Sequence, residues 1–85
     1  MIKGKTSTGF EFEIPEERLN NYELMEALAE EEENPLAVVK IVNLLLGKSQ
    51  AKRLKDHIRD EDGIVDSDRL TEELKEIFEQ QQIKN

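Results

Sequence analysis

Asn34-Pro35-Leu36-Ala37-Val38-Val39-Lys40-Ile41-Val42-Asn43-Leu44-Leu45-Leu46-Gly47 is the one stretch of the chain that is apolar almost all the way round. Periodicity does not separate a buried helix from a buried strand here, because Val38, Val39, Ile41 and Val42 suit either. The two ends do separate them. Asn34 is a good N-cap, and Pro35 sits at the first helical position, where its missing N–H costs nothing. Gly47 supplies a left-handed closing residue. The run is also longer than an ordinary strand. Its polar residues, Lys40 and Asn43, lie three apart and share one narrow stripe. A helix like this, over 35–46, needs other elements around it and reads as the central rod of a small helical domain. A membrane span needs ~20 apolar residues, and this run is shorter and interrupted by Lys40.

On the C-terminal side the pattern predicts a third helix over 49–61. Ala51, Leu54 and Ile58 give it a narrow buried edge, and Lys48, Lys52, Lys55 and Arg59 form a parallel stripe of cations. Asp60-Glu61-Asp62-Gly63 resembles part of a calcium loop. Aligning Gly63 with the loop glycine, however, puts Ile58 at the first ligand position and Arg69 at the bidentate glutamate position. Neither binds calcium, so the segment reads as a polar helix end closed by Gly63. A fourth helix over 67–80 starts at the cap Asp66, with Val65 and Leu70 placed as a hydrophobic staple. Leu70, Leu74, Ile77 and Phe78 make its apolar stripe, and Glu72, Glu73, Glu76 and Glu79 cover the rest. Residues 81–85 read as a frayed tail.

On the N-terminal side a helix over 20–31 is expected. Asn20 serves as its cap, Glu23 stands where it reaches back to that cap, and Leu19 and Leu24 form the staple. Tyr22, Met25, Leu28 and Ala29 continue the stripe. Glu30 through Glu33 crowd the negative end of this helix, which predicts fraying unless cations are near, or else an acidic docking patch. Residues 1–14 read as a β-hairpin. Ile2, Gly4 and Thr6 alternate with Lys3 and Lys5, Ser7-Thr8-Gly9 turns the chain, and Phe10, Phe12 and Ile14 alternate with Glu11 and Glu13. This alternation allows Lys3 and Lys5 to lie across from Glu11 and Glu13. Pro15 stops the second strand. The fold class is therefore mostly α with an N-terminal β-hairpin (α+β): one small domain over 1–85 with four helices, packed around the central apolar one of the four.

Eighty-five residues without cysteine allow only a modest core with no disulfide or thiolate metal site, and fit a cytoplasmic protein. No basic-then-apolar N-terminus suggests a signal peptide or anchor. The net charge of −8 argues against nucleic acid and anionic lipid as partners, unless the basic residues are segregated. They are segregated. Residues 11–34 carry ten Glu against Arg18, residues 35–59 six Lys/Arg against Asp56, and residues 60–85 nine Asp/Glu against three Lys/Arg. The main expectation is that these blocks neutralise one another within the fold. The lysine stripe could instead track a phosphate backbone.

No chemistry emerges. His57 is the sole histidine, has no cysteine partner and points away from the Leu54/Ile58 edge. Gly4, Gly9, Gly47 and Gly63 are too widely spaced for a phosphate loop. The carboxylates lie on helix faces with nothing to raise a pKa. No catalytic, metal or cofactor-binding residue is expected, and the chain is read as a non-enzyme.

The hairpin ending Thr8-Gly9-Phe10-Glu11-Phe12-Glu13-Ile14, then Tyr22 through Ala29, Asn34-Pro35-Leu36, Leu44-Leu45-Leu46-Gly47 and Leu54 through Val65, together resemble the small tail assembly chaperones of siphophages and prophages of Gram-positive bacteria. The resemblance spans most of the chain. It implies a non-enzymatic protein of the host cytoplasm, encoded just before the tape measure protein, which binds that long helical protein until the tail tube forms. Such families often also make a longer form by ribosomal frameshifting. The resemblance carries over no catalytic or defined binding residue. An acidic domain with spare apolar surface suits helix-in-groove contacts and self-association. Phe10, Phe12, Ile77 and Phe78 are the candidate partner contacts, although each also suits the core, and Phe12, Leu74 and Phe78 suit it better. The alternative is a small acidic regulator or DNA mimic that binds a basic partner.

Overall fold

In a computed structural model, which describes residues 1–83 and the side chains of 1–80, the chain begins with an antiparallel hairpin of β1 (Ile2–Lys5) and β2 (Glu11–Ile14). Its register pairs Lys3 with Glu13 and Lys5 with Glu11, as the alternation allows, and Lys3 Nζ lies 3.6 Å from the Glu13 carboxylate. The turn closes through Gly9 N–H donating to Thr6 O (3.0 Å), with Gly9 at φ 95°, a conformation glycine adopts without a Cβ clash. Gly4 faces Phe12 in the register, and a Cβ there would run into the Phe12 ring and the Gln80 amide.

Four α-helices follow among the described residues. α1 (Glu16–Leu19) is a single turn after Pro15 that is too short to show in the periodicity. It moves the expected cap by one residue. Asn20 closes α1, and Asn21, in extended conformation, caps α2 (Tyr22–Glu31) by accepting from Glu23 N–H at 2.9 Å. A 3₁₀ turn (Pro35–Ala37) then leads into α3 (Val38–Ile58), with Asn34 accepting from Leu36 N–H at 3.2 Å as its cap. α4 (Ser67–Ile83) starts under Asp66, whose carboxylate accepts from Arg69 N–H at 3.1 Å. α4 runs to Ile83, past the expected end at 80, and residues 84–85 of the expected tail lie outside the described residues.

The two helices expected over 35–46 and 49–61 form one element, interrupted at Gly47 (φ 78°, ψ 165°). Such a break leaves carbonyls of the preceding turn without their usual amide partners. Side chains replace them: Arg18 donates to Leu44 O (3.2 Å) and Gln50 to Leu46 O (3.1 Å). Gln50 also reaches β2, where it donates to Glu13 O (2.6 Å) and accepts from Glu13 N–H (2.8 Å). α3 ends at Ile58, earlier than expected. The Asp60 carboxylate takes the amides of Asp62 and Ile64, both at 2.9 Å, and so draws the backbone into a turn instead of another helical turn.

The core joins Phe10, Phe12 and Ile14 of the hairpin with Leu24 and Ala27 of α2, Ile41, Val42, Leu45, Leu46, Ala51, Leu54 and Ile58 of α3, and Leu74 and Ile77 of α4. α3 is thus the organising element, but it is not fully surrounded. Leu36 is 76 % exposed and Val39 61 % exposed, because α1, α2, α4 and the hairpin together cover only part of the rod. The charge blocks behave differently from expectation as well. Among the described residues a single ion pair, Lys40–Glu30 at 3.4 Å, links the basic block to an acidic one. Lys52 and Arg59 both pair with Asp56, inside the basic block.

Candidate functional site

The apolar stripe of α4 has two flanks, and these carry the two arrangements on which a function could rest. Glu73, Glu76 and Gln80 occupy one flank at i, i+3 and i+7, and all three hold the hairpin. Glu76 accepts from Ser7 through both oxygens, from the amide at 2.8 Å and the hydroxyl at 2.9 Å. Gln80 donates to Lys5 O at 2.8 Å. Glu73 is only 4 % exposed, against the expectation that it lies on a solvated face, because the Thr6–Gly9 turn covers it.

The hydrogen bonds at Glu73 have a forced direction. The Phe10 amide can only donate, so Thr6 Oγ1 accepts from it at 3.1 Å. Thr8 spends its single hydroxyl proton on Glu73 Oε2 at 2.8 Å. Its oxygen therefore accepts from Thr6 Oγ1–H at 3.1 Å and from His57 Nε2–H at 3.0 Å. The Thr8 hydroxyl thus joins Thr6, His57 and Glu73 in one hydrogen-bonded cluster. The carboxylate, hydroxyl and imidazole lock the hairpin turn onto α3 and α4. Glu73 Oε1 is buried and has no hydrogen-bond partner among the described residues. A cleft of about 350 Å³, lined by Thr8, His57, Ile58, Arg69, Glu72 and Glu73, opens beside the lock. No group of three potential metal ligands occurs among the described residues.

The other flank of α4 is open. There α4 faces α2 across a groove of about 340 Å³. Ile41 of α3 and Leu74 form its buried floor, and half-buried Leu28 and Phe78 form its apolar walls. Glu31 on the α2 side and Thr71, Lys75 and Glu79 on the α4 side complete the lining. Two larger hollows, about 500 Å³ along β2 and about 520 Å³ between α2 and α3, are lined mainly by polar and charged side chains. The α2/α4 groove is the most apolar of the three.

Of the four residues proposed from sequence as partner contacts, three are core. Phe10 is 3 % exposed, Phe12 2 % and Ile77 0 %. Phe10 is roofed by the Arg53 guanidinium, 5.2 Å above its ring, and flanked by the His57 ring at 5.7 Å. These three side chains are spent on the domain's own packing, which removes them as contact surface. Phe78 alone reaches an open surface. Leu28, Ile41 and Leu74 join it there; each belongs to a stripe visible in sequence, but the gap between α2 and α4 is not written in either stripe. His57 is exposed, as its wheel position indicates, yet it is tied to the hairpin turn.

Comparison with protein-family models, curated proteins and solved structures returned no match. No helix among the described residues is long and apolar enough to cross a membrane.

Proposed function

We propose that this chain is a non-enzymatic binding protein of the tail assembly chaperone type, which holds the helical tape measure protein in the host cytoplasm before the tail tube forms. The observation that carries this reading is the α2/α4 groove. After the domain has packed its core, an apolar trough between two helices remains uncovered, in a protein of net charge −8. A trough of that form suits the apolar face of another helix. The hydrogen bonds around Thr8 tie the hairpin turn to α3 and α4, a structural role that suits this reading. Exposed Tyr22, Met25, Leu36 and Val39 supply further apolar surface for self-association, so that several copies could coat one long partner.

Co-expression with the tape measure protein that this reading expects to be encoded next to it tests the reading. The long protein is expected to stay soluble and to co-purify with many copies of this one. A strict monomer that leaves the tape measure protein insoluble and unbound would end the proposal.

A further inference from the structure

We propose that the α2/α4 groove takes one kind of occupant: an amphipathic helix whose apolar stripe is flanked by Lys and Arg. This deepens the reading above and rests on it. The groove floor and walls, Ile41, Leu74, Leu28 and Phe78, set the apolar requirement. The rims set the charge. Glu31 stands on the α2 side and Glu79 on the α4 side, with Lys75 as the single cation between them. Glu31 also belongs to the Glu30–Glu33 run at the C-terminal end of α2, where the helix dipole adds to the negative potential. Only Glu30 of that run has an ion pair among the described residues, with Lys40. Three neighbouring carboxylates at a negative helix end repel one another, and cations flanking an incoming helix would relieve that repulsion as the apolar stripe docks.

A second copy of this chain does not meet the requirement. The one cation-rich helical segment, 48–58, has already buried its apolar residues Ala51, Leu54 and Ile58 in its own core. The exposed apolar residues of α2 sit among glutamates, which the groove rims would repel, and exposed Leu36 and Val39 have beside them only Lys40, already paired with Glu30. The occupant is therefore a different chain with a basic amphipathic helix.

The test uses the full chain and three labelled helical peptides: a leucine stripe with Lys/Arg flanks, the same stripe with Glu flanks, and the Lys/Arg peptide with its stripe scrambled. Fluorescence anisotropy at low and at high salt should rank the first at least about tenfold above the other two, with part of its affinity lost as salt rises. Amide NMR shifts should map to Leu28, Thr71 and Phe78. The rim variant Glu31→Lys/Glu79→Lys should reverse the preference toward the Glu-flanked peptide, and Phe78→Ala should weaken both, with circular dichroism confirming the fold. Equal binding of the scrambled peptide, shifts that map elsewhere, or indifference to the rim variant would overturn the proposal. So would an absence of binding by all three peptides. The same variants in the tape measure co-expression separate the two claims. If the wild-type complex forms and the rim and Phe78 variants leave it intact, the groove assignment fails and the chaperone reading stands. If the basic peptide binds the groove but the tape measure protein does not bind at all, the groove assignment stands and the chaperone reading fails.

Discussion

The two flanks of α4 meet opposite fates, and each is the reverse of what its residues suggest. Glu73, Glu76 and Gln80 look like solvent-facing positions, yet the hairpin turn covers them and takes up their hydrogen bonds. Phe78, beside Thr71 and Lys75, looks like core, yet it lines an open groove. The polar flank is closed and the apolar flank is open because the hairpin offers donors, Ser7 N–H, Ser7 O–H and Thr8 O–H, but has already turned its own apolar face onto α3. Carboxylates on a helix flank therefore act as adhesive wherever a turn brings unpaired donors to them. Apolar side chains stay uncovered when every neighbouring apolar face is already committed.

The largest effect should come from the spine that both flanks share. Ile77→Ala leaves a hole in a fully buried position and is expected to cost about 2–5 kcal/mol in urea unfolding, a large part of the stability of so small a domain. Next comes a matched pair of substitutions. Thr8→Val removes the only donor to Glu73 among the described residues and should cost about 2 kcal/mol, since a buried carboxylate would then lose its one bonded oxygen. Thr71→Val, on the open flank, deletes only a hydroxyl that donates back to Ser67 O, and should stay within about 0.5 kcal/mol of wild type. Equal losses in the two variants would erase the distinction between the flanks.

The far wall of the groove gives a smaller test. Asn21→Ala should remove about 1 kcal/mol by uncapping α2, whereas Asn20→Ala should cost no more than a few tenths, as seen in thermal melts. The reverse order would restore Asn20 as the cap. The smallest effect belongs to the lysine stripe, which takes part in neither flank. Lys52, by hydrogen bond and charge, and then Arg59 hold the Asp56 carboxyl below its ordinary value of 3.8. A folded-state value below the unfolded one contributes stability that is present above the ordinary carboxylate range and is lost as pH falls through the depressed value. Lys52→Met should move the Asp56 titration, followed by carboxyl NMR, back toward 3.8. Stability at neutral pH should barely change, because the pair is solvent-exposed.

Much of this architecture is legible in the chain. The Asn34 cap and Pro35, the Asp66 cap and the alternation from Phe10 to Ile14 are local signals, and each element they predict is present. What escaped depends on distant partners. Nothing near Glu73 indicates that a turn 65 residues away will cover it. Two adjacent asparagines compete for one cap, and the single turn of α1, too short for periodicity, decides between them. Phe10 and Ile77 carry the same pattern whether they face a core or a partner, and only the docking of the hairpin places them inside. The groove depends on how far apart α2 and α4 stand over Ile41, which no stripe on either helix encodes.

The Gln50 amide has a consequence for how the chain avoids misassembly. A two-stranded hairpin has unpaired strand edges, and an unpaired edge is a template on which another chain can add a strand. At Glu13 that template is occupied from within, since one side-chain amide supplies both the donor and the acceptor that a third strand would bring. Gln50 lies 37 residues downstream, so at roughly 5–20 residues per second it is synthesised a few seconds after β2. A lone hairpin is barely stable in water during that interval. The helix that makes the hairpin stable, by burying Phe12, carries the residue that blocks its edge. Stable pairing and protection of the β2 edge at Glu13 therefore arrive in the same folding event.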